Sequence, residues 1–313
     1  MESPWTTDRN HVAVFRPRPP TWRYPIQRPT ATKSPAQRAE RRPWLFFLLT
    51  FAYAWLLWLP SALHGWGFKI PFDARTYTAI TVPIGAFAPL LAAATLVFRS
   101  GGWPAVKTLL HQAVDFSVKP VYMALALLLP LLIHTIAHYL APLMGLDVAK
   151  TLLPADLPVP AAVLIVPYFF FILFVGGGQE EFGWRGYAQQ PLQERFGVVP
   201  AGLLIGVVWG LWHLPLWVMT GEPHSTYPYA AFLLMTTSVS VVYAWLYNAS
   251  GRRLIVVLLL HAMSNTAAPL LPYLHWTEGK PETAYWVYAA VNAVAGTIFA
   301  CMIARETKDR RLS

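Results

Sequence analysis

Two carboxylates and a guanidinium lie close together in the run Glu180-Glu181-Phe182-Gly183-Trp184-Arg185, beside one of the most apolar stretches of the chain. A charge at the centre of a bilayer costs roughly 3 kcal/mol, so ionisable groups inside spanning segments face one another or a water-filled cavity. Glu181 and Arg185 stand four apart, which on a helix places them on one face as an ion pair. Glu180 then points about 100° away, free for other work. Taken alone, the run also reads as the solvated end of a helix. Two further apolar segments weigh against that reading. One carries Trp209-Gly210-Leu211-Trp212-His213, and the other His261-Ala262-Met263-Ser264-Asn265, again with two polar groups four apart. A single intramembrane histidine is more often a core residue bonded to a carbonyl. Three segments that each offer catalytic groups point to a shared pocket.

A carboxylate facing an imidazole in a partly dry pocket is a competent pair for activating water, with Glu180 as base and His213 holding the water or protonating the leaving group. His261 and Asn265 supply donors suited to a developing oxyanion, and Arg185 orients Glu181. Glu180, His213 and His261 are equally a familiar ligand set for a divalent metal such as zinc. The residues leave both mechanisms open.

The elements that must position these groups are membrane helices. The chain is 56% hydrophobic and 12% charged, and its apolar runs repeatedly pass the roughly 20 residues that cross a hydrocarbon core. The fold class expected is therefore all-α, a polytopic membrane protein with eight transmembrane helices around an intramembrane cavity. The spans are Trp44 to Leu63, Tyr77 to Phe98, Val121 to Leu143, Val159 to Val175, Val198 to Met219, Tyr229 to Tyr247, Leu254 to Pro272, and Tyr285 to Ala304. The fourth is able to continue through the acidic motif. Between the fourth and fifth, the midpoint of positions 180 and 213 falls at the turn signal Phe196-Gly197, so Glu180 and His213 stand at matched depth, about 24 Å of helix from the turn.

Residues 1–43 carry eight Arg, one Lys and eight Pro and read as a disordered basic arm. Residues 44–304 form the membrane domain, and 305–313 a basic tail. Lys and Arg concentrate in the arm, the tail and alternate loops, which predicts both termini cytoplasmic in a bacterial plasma membrane. The net charge of +9 follows from a basic face beside anionic lipid, so the partners expected are lipid and a membrane-associated peptide or protein, not nucleic acid.

Other candidates carry less. The single cysteine, Cys301, permits no internal disulfide and reads as an inert core thiol. His134 and His138 are spaced as metal ligands can be, but Thr135 stands where a zincin has its Glu, so they read as buried, satisfied histidines. Gly176-Gly177-Gly178 suits a local break or close backbone approach near a channel, and equally close packing of neighbouring helices. Glu222, His224 and His275 fall in expected outer loops and read as solvated. Trp44, Trp66, Trp217, Tyr285 and Trp286 read as an interfacial belt.

Glu180-Glu181-x-x-x-Arg185, the aromatic-x-x-x-His of Trp209 to His213, and His261-x-x-x-Asn265, in this order and each in an apolar setting, resemble the three signatures of the CAAX protease and bacteriocin-processing (Abi) family, which includes the Ras-converting prenyl endopeptidase. The resemblance covers about Pro160 to Ala268. It implies an eight-helix intramembrane endopeptidase, with Glu180 activating water, His213 assisting, His261 and Asn265 stabilising the oxyanion, and Glu181 and Arg185 in support. Family members have been described both as glutamate proteases and as metalloproteases. One departure is that the second motif usually begins with Phe, where this chain has Trp209; an altered pocket shape with retained activity is expected. The substrate class implied is a prenylated CAAX-type or bacteriocin-like peptide. The alternative is a non-catalytic membrane scaffold or immunity protein that binds a partner in the same cavity.

Overall fold

A computed structural model describes residues 5–7, 13–15, 42–150, 161–275 and 282–312. Within the arm, β1 (Trp5–Thr7) and β2 (Ala13–Phe15) pair antiparallel, Trp5 opposite Phe15. The remainder of the arm expected to be disordered lies outside the described residues.

The membrane domain is helical among its described residues. It begins with α1 (Pro43–Gly65), α2 (Ala74–Gly85), α3 (Ala88–His111), α4 (Pro120–Leu143) and α5 (Ala161–Phe174). A short acidic segment follows, with a 3-10 turn at Gly178–Glu180, α6 (Glu181–Gly183) and a π-helix at Trp184–Gln189. The chain then runs through α7 (Gln190–Phe196), α8 (Val198–Trp212), α9 (Tyr229–Ala249), α10 (Leu254–Leu270) and α11 (Tyr285–Leu312). The expected turn is where the sequence placed it: Gly197 adopts φ 89° between α7 and α8.

Among the described residues, five helical stretches are long and apolar enough to cross a membrane, and six if one bent pair is a single span. The fourth span does continue through the acidic motif, running from Val163 to Phe196. The expected span Tyr77 to Phe98 is instead broken between α2 and α3, which meet at 41°. Pro89 sits in the first turn of α3; it lacks the N–H that would bond the Gly85 carbonyl, and its ring crowds that carbonyl, which accounts for a bend at this point. The expected spans Val198 to Met219 and Leu254 to Pro272 are also shorter than anticipated, at 15 and 17 helical residues. At 1.5 Å per residue these reach about 23 and 26 Å, less than the roughly 30 Å of a hydrocarbon core. Pro215 and Pro272 end them early.

These two short helices carry His213 and His261; α10 is largely interior, whereas α8 keeps Leu203 and Leu211 exposed. α8 packs along α9, α9 along α11, and α10 along α4. The α8–α9 contact is close because Gly202, Gly206 and Gly210 recur every fourth residue along it: a Cβ on Gly206 would stand 2.5 Å from Thr237 Cα. Small residues allow this approach where lipid offers no hydrophobic drive between helices. Large apolar side chains such as Leu56, Leu128, Leu143 and Phe174 remain exposed around the bundle, as a lipid-facing surface requires.

Five residues stand elsewhere than expected. Cys301 is exposed on α11, not buried in a core. Tyr285 is 1% exposed and stacks on Tyr227 at 4.6 Å, and Trp217 packs on Tyr229 and Phe232, so neither belongs to an interfacial belt. Trp44, Trp66 and Trp286 are exposed as expected. Glu222 is buried and His224 largely so, because the loop after α8 folds back in two 3-10 turns, Leu214–Trp217 and Pro223–Thr226. His275 is exposed, as expected. Outside the membrane, Asp115 pairs with Arg253 at the start of α10. Its carboxyl is held below the usual carboxylate range, chiefly by the Ser117 backbone N–H, with Arg253 a smaller cause.

Candidate active site

Glu180, Trp209, His213, His261 and Asn265 all line one cavity of about 490 Å³. Glu181 and Arg185 stand behind its wall, both 0% exposed. The sequence expectation that the acidic motif and the two histidine motifs converge is therefore met in geometry.

The break after α5 brings this about. Gly177 adopts φ 137°, and a Cβ there would stand 2.6 Å from His261 Nε2 and 2.9 Å from Asn265 Nδ2. Only glycine combines that backbone conformation with that proximity. Asn265 fixes the break by donating from Nδ2 to the Gly176 carbonyl at 3.1 Å. The 3-10 turn that follows sends Glu180 into the cavity and Glu181 away from it.

Glu180 is 4% exposed, and its Oε2 accepts from two indoles, Trp184 Nε1 at 3.2 Å and Trp209 Nε1 at 2.9 Å. No protein donor among the described residues reaches the other oxygen, which is left to the cavity. Trp209 serves two groups at once, because its backbone carbonyl accepts from His213 Nδ1 at 2.8 Å. That bond assigns the proton of the neutral ring to Nδ1 and leaves the Nε2 lone pair free.

Behind the wall, Arg185 donates to both oxygens of Glu181, at 3.2 and 2.9 Å, and to Ser240 Oγ at 2.8 Å. Its guanidinium lies 4.4 Å from the Tyr243 ring centroid, a cation–π contact. Glu181 Oε1 in turn accepts from His261 Nδ1 at 2.8 Å. The pair expected between Glu181 and Arg185 is present, and its further partner is His261. A buried carboxylate accepts on both oxygens, so it fixes the His261 ring with its Nε2 edge against Gly177.

Trp184, Ser240 and Tyr243 escaped the sequence reading. Trp184 was legible in principle, since it stands four residues after Glu180, the same spacing that linked Glu181 to Arg185.

The alternative metal set, Glu180, His213 and His261, is not assembled as one. Among the described residues no group of three His, Cys, Asp or Glu side chains is placed to hold a metal ion. The His Nδ1 atoms and Glu180 Oε2 are engaged by protein partners, which leaves, among the described residues, the two Nε2 atoms and Glu180 Oε1 as the unengaged donors of this set. His134 is buried, with Nε2 3.2 Å from Tyr288 Oη but Nδ1 unpartnered, so it is buried yet only half satisfied. His138 Nδ1 meets the Pro272 carbonyl at 2.5 Å.

Apolar helices of spanning length around a polar cavity define a multi-pass integral membrane protein. Residues 162–267 match the family described as Type II CAAX prenyl endopeptidase Rce1-like, so the family resemblance carried by the three motifs stands, and those residues enclose all three. The chain is also 25% identical over 256 residues to CAAX prenyl protease 2 of Methanococcus maripaludis, an alignment that covers 73% of this chain and 84% of the relative. A protease is the activity class these similarities support.

Proposed function

We propose that this protein is an intramembrane endopeptidase that hydrolyses a peptide bond in a membrane-associated substrate, with water activated by Glu180 and His213. The observation that carries the reading is the state of Glu180: a buried carboxylate with one oxygen pinned by two indole N–H groups and the other turned to a cavity that His213, His261 and Asn265 also line.

In this reading the free Glu180 oxygen takes a proton from water as the water attacks the substrate carbonyl. The Nε2 lone pair of His213, its orientation set by Trp209, accepts a hydrogen bond from the same water. The second amide hydrogen of Asn265, with the His261 ring held beside it by Glu181, faces the developing oxyanion. The proton held on Glu180 then passes to the leaving amine as the C–N bond breaks, which returns the carboxylate. Glu181 and Arg185 touch no reacting atom and act by fixing His261.

The relative from Methanococcus maripaludis is described as a CAAX prenyl protease, and a prenylated C-terminal peptide is accordingly the first substrate to try. Purified protein, Glu180→Ala and His213→Ala are assayed on a library of membrane-anchored peptides, prenylated and not. The reading expects cleavage by wild type and its loss in both variants. Equal turnover by all three rejects it. A scaffold role would be favoured instead if a Glu180→Gln strain kept the full phenotype that deletion abolishes.

A further inference from the structure

The cavity has a second polar pole. The loop after α8 folds Glu222 and His224 back so that both line the same cavity as Glu180. Rings connect the two poles: Trp209 and His213 have centroids 5.9 Å apart, and His213 and His224 5.7 Å apart, the latter stacked at 30°. Glu222 is unusual in this setting. Its side chain is 9% exposed, its Oε1 stands 3.4 Å from His224 Nδ1 without a hydrogen bond, and its Oε2 has no hydrogen-bond partner among the described residues. A buried carboxylate left this way is expensive unless something else pairs with it.

The remaining lining says what that partner is. Among the described residues the cavity is lined by two carboxylates, Glu180 and Glu222, and by no lysine or arginine. Tyr227, Phe232 and Tyr285 line the same cavity as Glu222 and stack on one another, so this end has aromatic walls and no competing charge from them. Arg75, the basic residue beside this loop, packs along Gly221 and is not part of the lining.

We propose that Glu222 is a specificity-determining residue that receives a cationic side chain of the substrate, Lys or Arg, a few residues from the scissile bond. The proposal rests on the endopeptidase reading and adds to it a substrate class: peptides with a basic residue close to the cut. An anionic or neutral side chain at that position would leave Glu222 repelled or unpaired in a dry pocket.

The test uses the full-length protein in detergent and quenched fluorescent peptides anchored by one lipid chain. A Lys, its neutral counterpart Gln, or Glu is placed in turn at six successive positions, which covers about 20 Å of extended chain. At one position wild type is expected to prefer Lys over Gln by about tenfold in kcat/KM. That ratio falls towards one in Glu222→Gln, and the order inverts in favour of Glu in Glu222→Lys. A wild-type enzyme indifferent to Lys at every position overturns the proposal, as does a Glu222→Gln variant that keeps the wild-type ratio. Should Glu222→Gln not fold, Glu222→Asp carries the test, with a reduced preference of the same sign. Binding of the same peptides by fluorescence anisotropy separates the two layers of the argument. A Lys preference in binding that Glu222→Gln removes, without cleavage by wild type, keeps the cation site and rejects the endopeptidase. Cleavage without any Lys preference does the reverse.

Discussion

Glu180 and Glu181 leave neighbouring positions of one turn and enter two regions with opposite chemistry. On the far side of the wall, Glu181 is saturated: Arg185 and His261 occupy both its oxygens, Ser240 occupies another arm of the guanidinium, and Tyr243 covers its face. On the cavity side, Glu180 is pinned through a single oxygen and its other lone pairs face open space. The sealed region is a frame that holds groups still. The open region keeps reactive valence unspent, which is what proton transfer requires. A buried ion pair is no strong source of net stability, since desolvation offsets much of its attraction, but removal of one partner leaves an uncompensated charge. Substitutions on the sealed side should therefore cost fold, and those on the open side only chemistry.

The largest effect is expected on the sealed side. Glu181→Ala strands the Arg185 guanidinium and should destabilise the protein by about 3–5 kcal/mol, seen as a lower melting temperature in detergent together with loss of activity. A melting temperature equal to wild type would erase the distinction between the two regions. On the open side, His213→Gln should leave melting unchanged and lower kcat by about 100-fold. Trp209→Phe is gentler. It restores the residue most common in related second motifs while removing one of two donors to Glu180, and a loss of about tenfold in kcat is expected, equivalent to one hydrogen bond to a charged group. An unchanged kcat would show that Trp184 alone suffices to orient Glu180.

The smallest effect belongs to neither region. Asp115 lies outside the membrane, and its folded-state carboxyl ionises below the ordinary range. A group depressed in this way contributes stability that is complete above its unfolded pKa of about 3.9 and is lost as pH falls through the folded value. Asp115→Asn should therefore lower the melting temperature slightly at pH 7, by a decrement that shrinks as pH falls below the unfolded pKa. A decrement that stays constant as the pH is lowered would assign the effect to something other than ionisation.

Much of the site could be read in the sequence because helical spacing is rigid. The i,i+4 relation of Glu181 and Arg185, the turn at Gly197 and the three motifs all fall where the spacing put them. Trp184 and the glycines at 202, 206 and 210 obeyed the same arithmetic, and each follows from counting in fours. The break between α2 and α3 likewise follows from Pro89. Glu222 and His224 could not be read this way. They sit in a short polar loop whose sequence resembles any solvated connection, and only the fold-back of two 3-10 turns places them in the cavity. The second partner of Glu181 was hidden for the same reason, since a contact between residues 80 positions apart leaves no local trace.

The claim on which the account turns is that Glu180 and His213 act on one water. A double-mutant cycle in kcat measures this directly, with Glu180→Gln, His213→Gln and both together, each shown by its melting temperature to be folded. Groups that work as a unit are strongly non-additive, so the double variant should lose little more than Glu180→Gln alone. Losses that simply multiply would mean that the two residues act independently, and would contradict the shared site.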